Sequence, residues 1–125
     1  MTKIVIVEDD VMLAEIYQTW LTLAGYECYL ANDGQIGFDL IAKVLPDLVI
    51  LDLMLPSKSG DDILREMRKT DWGKTIKAIF LTNISESEAP DGIEELVFER
   101  YIVKANLATN QLSEIIAEVL KPLPQ

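Results

Sequence analysis

The 125-residue sequence predicts an α/β fold, a doubly wound three-layer sandwich around a five-stranded parallel sheet. Three observations predict it. Five short apolar runs alternate with stretches of helical periodicity. The runs are near-continuous in apolar residues, which suits strands covered on both faces. Right-handed crossovers leave few other ways to connect such elements.

The elements follow in order. Ile4-Val5-Ile6-Val7 predicts the first strand. Leu13, Ile16, Tyr17, Trp20, Leu21 and Ala24 form one apolar helical stripe, with Gly25 as its stop. Cys28-Tyr29-Leu30 predicts the second strand, and Ile36, Leu40, Ile41 and Val44 a second helix closed by Pro46. Leu48-Val49-Ile50-Leu51 is the third strand, followed by a shorter stripe of Ile63, Leu64 and Met67. Ala78-Ile79-Phe80-Leu81 and Tyr101-Ile102-Val103 complete the strands. Leu112, Ile115, Ile116, Val119 and Leu120 predict the last helix, closed by Pro122, and residues 121–125 read as a chain end. Residues 85–98 are the weak stretch. Pro90 and Gly92 interrupt any helix there, and Ile93, Leu96 and Val97 supply only about one turn of periodicity. A helix that is short, displaced or mobile is expected.

Composition narrows the function. The length implies one domain, residues 1–125. Eleven basic against 21 acidic residues give a formal net charge of -10. Such a surface repels nucleic-acid phosphates and anionic membranes, and no Lys/Arg run overrides it. Direct nucleic-acid binding and membrane partners are not expected. Cys28 is the one cysteine, so no intramolecular disulfide can form; it reads as a packing residue. There is no histidine, which removes Ser-His-Asp, Cys-His and His-metal chemistry. The apolar run after Lys3 is too short for a signal peptide and no stretch suits a membrane span, so a cytoplasmic location is expected.

The strand ends carry the chemistry. The first ends in Glu8-Asp9-Asp10, the third in Asp52, the fourth in Thr82-Asn83 and the fifth in Lys104. These ends share one edge of the predicted sheet, where sites lie in open α/β sheets. Clustered carboxylates repel one another, and a hard divalent cation such as Mg2+ relieves this with oxygen ligands and retained water. A carboxylate nucleophile, a metal, an ammonium and a hydroxyl are the parts needed to move a phosphoryl group onto a side chain. Plainer readings stand beside these. Glu8 and Asp9 could lie in a solvated loop, Thr82 could cap a turn, Lys104 could be a surface lysine, and Tyr101 could simply pack. Asp10 reads as an N-cap of the first helix.

The acidic pair after the first strand, the segment Leu51-Asp52-Leu53-Met54-Leu55-Pro56 with Ser59-Gly60, and then Thr82, Tyr101 and Lys104 form an ordered set. In that set the chain resembles the receiver domains of two-component response regulators over essentially its whole length. The resemblance implies a flavodoxin-like sheet of order 2-1-3-4-5. It implies Asp52 as phosphoacceptor, Glu8 and Asp9 as the metal-binding pair, and the Met54 backbone carbonyl as a further Mg2+ ligand. In that pair Asp9 would bind directly and Glu8 through water. Thr82 and Lys104 would contact the phosphoryl group, and Tyr101 would be the aromatic switch. It also implies a phosphorylated signalling domain rather than an enzyme. A sensor histidine kinase or histidine phosphotransfer protein would be the donor and another protein the downstream target. A homodimer through the last strand and helix is a further expectation.

Departures from the family pattern shape the expectations. Ala105 stands where the family has a cis proline after the lysine; a cis bond before Ala costs ~3 kcal/mol, so either strain is held or the loop differs. Asn83 stands where the family has a small residue, and its larger side chain would narrow access to Asp52 or limit the loop's inward swing. Met54 and Ile84, both apolar, flank the expected path of a hydrolytic water, which predicts a long-lived phosphoryl group. The broken helix shifts output toward the last strand and helix. Two other function classes compete. One is a pseudo-receiver that binds partners without phosphate. The other is a haloacid-dehalogenase-type phosphatase, which needs a second acid where Met54 stands and a larger, capped chain.

Overall fold

The structure is a computed structural model and describes residues 1–108 and 110–121. Five strands form one parallel sheet: β1 (Lys3–Val7), β2 (Glu27–Ala31), β3 (Leu48–Leu51), β4 (Lys77–Thr82) and β5 (Arg100–Val103), in the order β2-β1-β3-β4-β5. Four α-helices join them: α1 (Val11–Leu23), α2 (Gly34–Val44), α3 (Gly60–Arg68) and α4 (Gln111–Leu120). The predicted strands are all present, each within two residues of its expected ends.

Two cores explain why the strands read as continuous apolar runs. Ile4, Ile6, Leu48, Ile50, Ile79 and Leu81 pack with Tyr17 and Leu21 of α1 and with Leu112 and Ile116 of α4. Val5, Val7, Val49, Leu51, Ala78 and Phe80 pack on the other face with Ile41 of α2 and Ile63, Leu64 and Met67 of α3. Alternate residues of β1, β3 and β4 thus feed opposite layers, so polar residues stand only at the ends of these strands, at Lys3, Lys77 and Thr82. The stripes of α1 and α2 are narrower than their spacing suggests. Ile16 and Ile36 are 39% and 55% exposed, and Ala24 is exposed too.

Helix boundaries follow from local chemistry. The Leu13 N–H donates to Asp10 Oδ1 at 3.1 Å, so Asp10 is the N-cap of α1. Gly25 after α1 takes φ +100, a conformation that favours glycine. Leu45 ends α2 in the left-handed region at φ 52, with Pro46 next. Pro122 lies outside the described residues.

The connection from β4 to β5 contains no α-helix. It holds two 3-10 turns of three residues each, Glu86–Glu88 and Ile93–Glu95. Pro90 and the positive φ of Gly92 separate them. The segment still covers the sheet: Ile93 is buried in the α2–α3 core, and Leu96 and Phe98 pack against it.

Candidate functional site

The strand register decides which side chains meet. Val7 pairs with Leu51, so Glu8 and Asp52 leave adjacent strands at the same level, and the Asp52 N–H donates to the Val7 carbonyl at 3.1 Å. Thr82 pairs with Val103, which puts Lys104 one step beyond it. β1 and β3 are also where the winding reverses: α1 leaves toward one layer and α3 toward the other. The crevice between them lies at the topological switch point.

Alternation along the strands sorts the site into two groups. Ile6, Ile50 and Ile102 point toward the α1–α4 layer. Two residues further on in each case stand Glu8, Asp52 and Lys104. The Lys104 Nζ donates to Asp52 Oδ2 at 2.7 Å and forms an ion pair with Glu8 Oε1. All three side chains are more than nine-tenths buried. Thr82 and Tyr101 belong to the opposite group, whose strand neighbours Ala78 and Phe80 face the α2–α3 layer. The Tyr101 hydroxyl donates to the Ile84 carbonyl at 2.7 Å, and its ring lies 6.2 Å from Phe80. Thr82 is fully buried and its Oγ1 accepts a long 3.4 Å bond from the Ile84 N–H.

Glu8, Asp9 and Asp52 each offer a carboxylate oxygen within 4.8 Å of the others. Together with Asp10, Leu13, Met54, Thr82, Asn83 and Lys104 they line a cleft of about 300 Å³. Lys104 is the one cation among these residues, so three clustered carboxylates face a single ammonium. Burial is the main reason the Glu8 carboxyl is pushed up to about 7. The Asp52 charge adds to that, against hydrogen bonds from Lys104 and the Asp10 amide. Burial also pulls the Lys104 ammonium down, but its bonds to Asp52 and Glu8 win and leave it above the usual lysine value. An all-oxygen donor set with excess negative charge fits a hard cation of the Mg2+, Mn2+ or Ca2+ kind. The acidic cluster is consistent with a metal site.

The family model for the response regulator receiver domain matches residues 4–117. The chain belongs to the response regulator receiver domain family. Members of this family are signalling modules rather than classical enzymes. Solved structures share the receiver fold. The chemotaxis protein CheY4 of Vibrio cholerae is 23% identical, with a TM-score of 0.86, covering 96% of this chain and 99% of that one. The BeF3-activated N-terminal receiver domain of Klebsiella pneumoniae RstA is 27% identical, with a TM-score of 0.81 and coverage of 96% and 100%. The receiver domain of the sensor histidine kinase PA1611 of Pseudomonas aeruginosa has a magnesium ion coordinated in its active-site cleft. It is 22% identical, with a TM-score of 0.83 and coverage of 94% and 95%.

The departures have local outcomes in this receiver. No peptide bond among the described residues is cis, so the loop after β5 differs instead: Lys104–Asn106 form a 3-10 turn, and Lys104 still reaches Asp52. Met54, 66% exposed, and the exposed Asn83 stand among the cleft-lining residues. No helix among the described residues is long and apolar enough to cross a membrane. Sequence reasoning missed the contact between Asp33, ahead of α2, and Ser57 of the β3–α3 loop. Asp33-Gly34 directly ahead of the α2 stripe was a visible N-cap signal, but the Ser57 partner, 24 residues on, had none.

Proposed function

We propose that this receiver accepts a phosphoryl group on Asp52 from a phosphohistidine of a kinase or phosphotransfer partner, and switches its contacts with a downstream protein. The observation that carries the reading is the buried Lys104 ammonium joined to both Asp52 and Glu8 beside Asp9. In the transfer, an Asp52 carboxylate oxygen attacks phosphorus, the donor P–N bond breaks, and the donor imidazole keeps the electron pair and takes a proton. When bound, Mg2+ supplies charge neutralisation for the transferring group. Asp9 and Asp52 would hold it directly, with Glu8 through water and the Met54 carbonyl completing the protein's share. Lys104 and Thr82 would bind phosphoryl oxygens, adding charge-assisted hydrogen bonds to the roughly two new negative charges.

Tyr101 and residues 83–97 would be the readout. Thr82 leaving its weak bond to Ile84 would shift the loop whose carbonyls the Tyr101 hydroxyl holds. A few kcal/mol of differential contact suffices to move such a two-state equilibrium. The reading takes residues 1–125 as one domain in a cytoplasmic setting and leaves self-dimerisation to β5 and α4. A second reading, a partner-binding receiver that ignores phosphate, is favoured by Asn83 and Ala105 standing where the family pattern has a small residue and a proline. Intact-mass spectrometry after incubation with Mg2+ and acetyl phosphate separates them. Phosphorylation predicts one phosphoryl mass on the wild type and none on Asp52→Asn. No gain on wild type supports the second reading, and equal gain on both overturns Asp52 as the acceptor.

A further inference from the structure

The β3–α3 loop, which follows Asp52 and carries Met54, is anchored from outside the acidic centre. The Lys58 N–H donates to the Pro56 carbonyl at 2.8 Å across Ser57, whose φ is +72. That is a γ-turn of the positive-φ kind, the rarer and strained of the two, on a residue that is not glycine. Something must hold it. The Gly34 N–H donates to the same Pro56 carbonyl at 2.9 Å, and the Ser57 hydroxyl donates to Asp33 Oδ2 at 2.6 Å. Asp33 Oδ1 meanwhile accepts from the Gln35 and Ile36 amides and caps α2. Gly34 lies so close under the turn that a Cβ there would stand 1.7 Å from the Lys58 carbonyl oxygen. At the loop's other end the Gly60 N–H donates to the Leu53 carbonyl at 3.1 Å.

We propose that the Asp33–Ser57 contact is a clasp with a positioning role: it locks the β3–α3 loop so that the Met54 peptide stands ready beside Asp52, and thereby sets the cation affinity of a centre neither residue touches. The inference rests on the proposed function, since it assigns the clasp to that function's cation site. Asp33 suits the role because its two oxygens do separate jobs. The Ser57 hydroxyl first, and the α2 amides with it, hold Asp33 below the ordinary carboxylate range, so the clasp persists in mild acid.

The two jobs can be pulled apart. Asp33→Ser keeps an N-cap for α2 but cannot reach Ser57, whereas Asp33→Asn keeps both the cap and a hydrogen-bonding group facing Ser57. Calorimetric titration with Mg2+ should show Asp33→Ser and Ser57→Ala each binding about tenfold more weakly, the low end for partners that orient ligands. The double variant should be no weaker than either alone, and Asp33→Asn should stay near wild type. Without metal, amide exchange at Met54 and Leu55 should quicken in Asp33→Ser and Ser57→Ala while the melting temperature barely moves. Wild-type affinity in both single variants, or losses that multiply in the double, would overturn the clasp alone. A wild type that binds no Mg2+, or an Asp52→Asn that binds it equally well, would overturn the cation site and the clasp with it.

Discussion

The two loops that flank the cleft are built in opposite ways. Between β3 and α3 the backbone does most of the fastening, beside the Asp33–Ser57 clasp: two glycines admit contacts that no side chain would allow, and one carbonyl receives two amides. Between β4 and β5 the backbone is slack, two 3-10 turns around a proline and a glycine, and side chains from elsewhere hold it. Arg68 at the end of α3 ties the Val97 carbonyl of this connection, at 2.7 Å, to the Gly73 and Ile76 carbonyls of the α3–β4 connection, to which it also donates at 2.7 Å. Arg65 donates to the Asp91 carbonyl at 3.1 Å while pairing with Asp61 and Asp62. Tyr101 holds the Ile84 carbonyl. In this receiver the loop beside the proposed chemistry is fixed mainly by close backbone packing, with the Asp33–Ser57 clasp added to it, and the loop beside the proposed readout by a few polar side-chain contacts.

The contrast can be broken first at glycine. An alanine Cβ at Gly60 would lie 2.1 Å from the Asp52 carbonyl oxygen, and at Gly34 1.7 Å from that of Lys58. Each of Gly60→Ala and Gly34→Ala should cost more than about 4 kcal/mol in urea unfolding, or prevent folding. At Gly92, φ +83, the nearest atom is the flexible Arg65 Nη2 at 3.7 Å. Gly92→Ala should cost only about 1–2 kcal/mol, from the backbone conformation alone. Equal losses at Gly60 and Gly92 would erase the distinction.

Arg68→Ala should be next, at about 2–3 kcal/mol, since it strips partners from three carbonyls. Faster amide exchange should follow in residues 89–99 and not in the β3–α3 loop. The acidic centre supplies the third test. With its carboxyl raised from 4.5 to about 7, Glu8 binds a proton in the folded state that the unfolded chain has already lost between those values. Its contribution is therefore full below the unfolded value and is lost as pH climbs through about 7. In EDTA, stability should fall from about pH 5 to about pH 8 by on the order of 1–3 kcal/mol, and Glu8→Gln should flatten the curve. Smallest is Tyr101→Phe, which removes one bond to the Ile84 carbonyl and should cost about 1 kcal/mol while loosening residues 83–88.

These contrasts also show what the chain's letters made legible. The sheet could be read because the strand interiors feed two cores and carry no polar interruption, polar residues standing only at strand ends such as Lys3, Glu27, Lys77, Thr82 and Arg100. The convergence of Glu8, Asp52 and Lys104 could be read because a parallel sheet brings its strand ends to one rim. Residues 85–98 could be read as a weak helix, since Pro90 and Gly92 act locally. Arg65 and Arg68 as the fasteners of that segment could not, because their acceptors are backbone carbonyls, which carry no sequence identity. Ser57 hid for a related reason: a positive φ on serine comes from tertiary contact with Gly34 and Asp33, against its own preference. Ile16 and Ile36 looked like core because apolar spacing marks a helix face without saying how wide the buried part is.

A crystal structure grown with magnesium and beryllium fluoride would test the central claim most directly. The account predicts an ion held by Asp9, Asp52 and the Met54 carbonyl, the fluoride group on Asp52, and Lys104 and Thr82 both within hydrogen-bonding distance of it. Lys104 still paired with Glu8, with neither ion nor fluoride beside Asp52 at saturating concentrations, would contradict it.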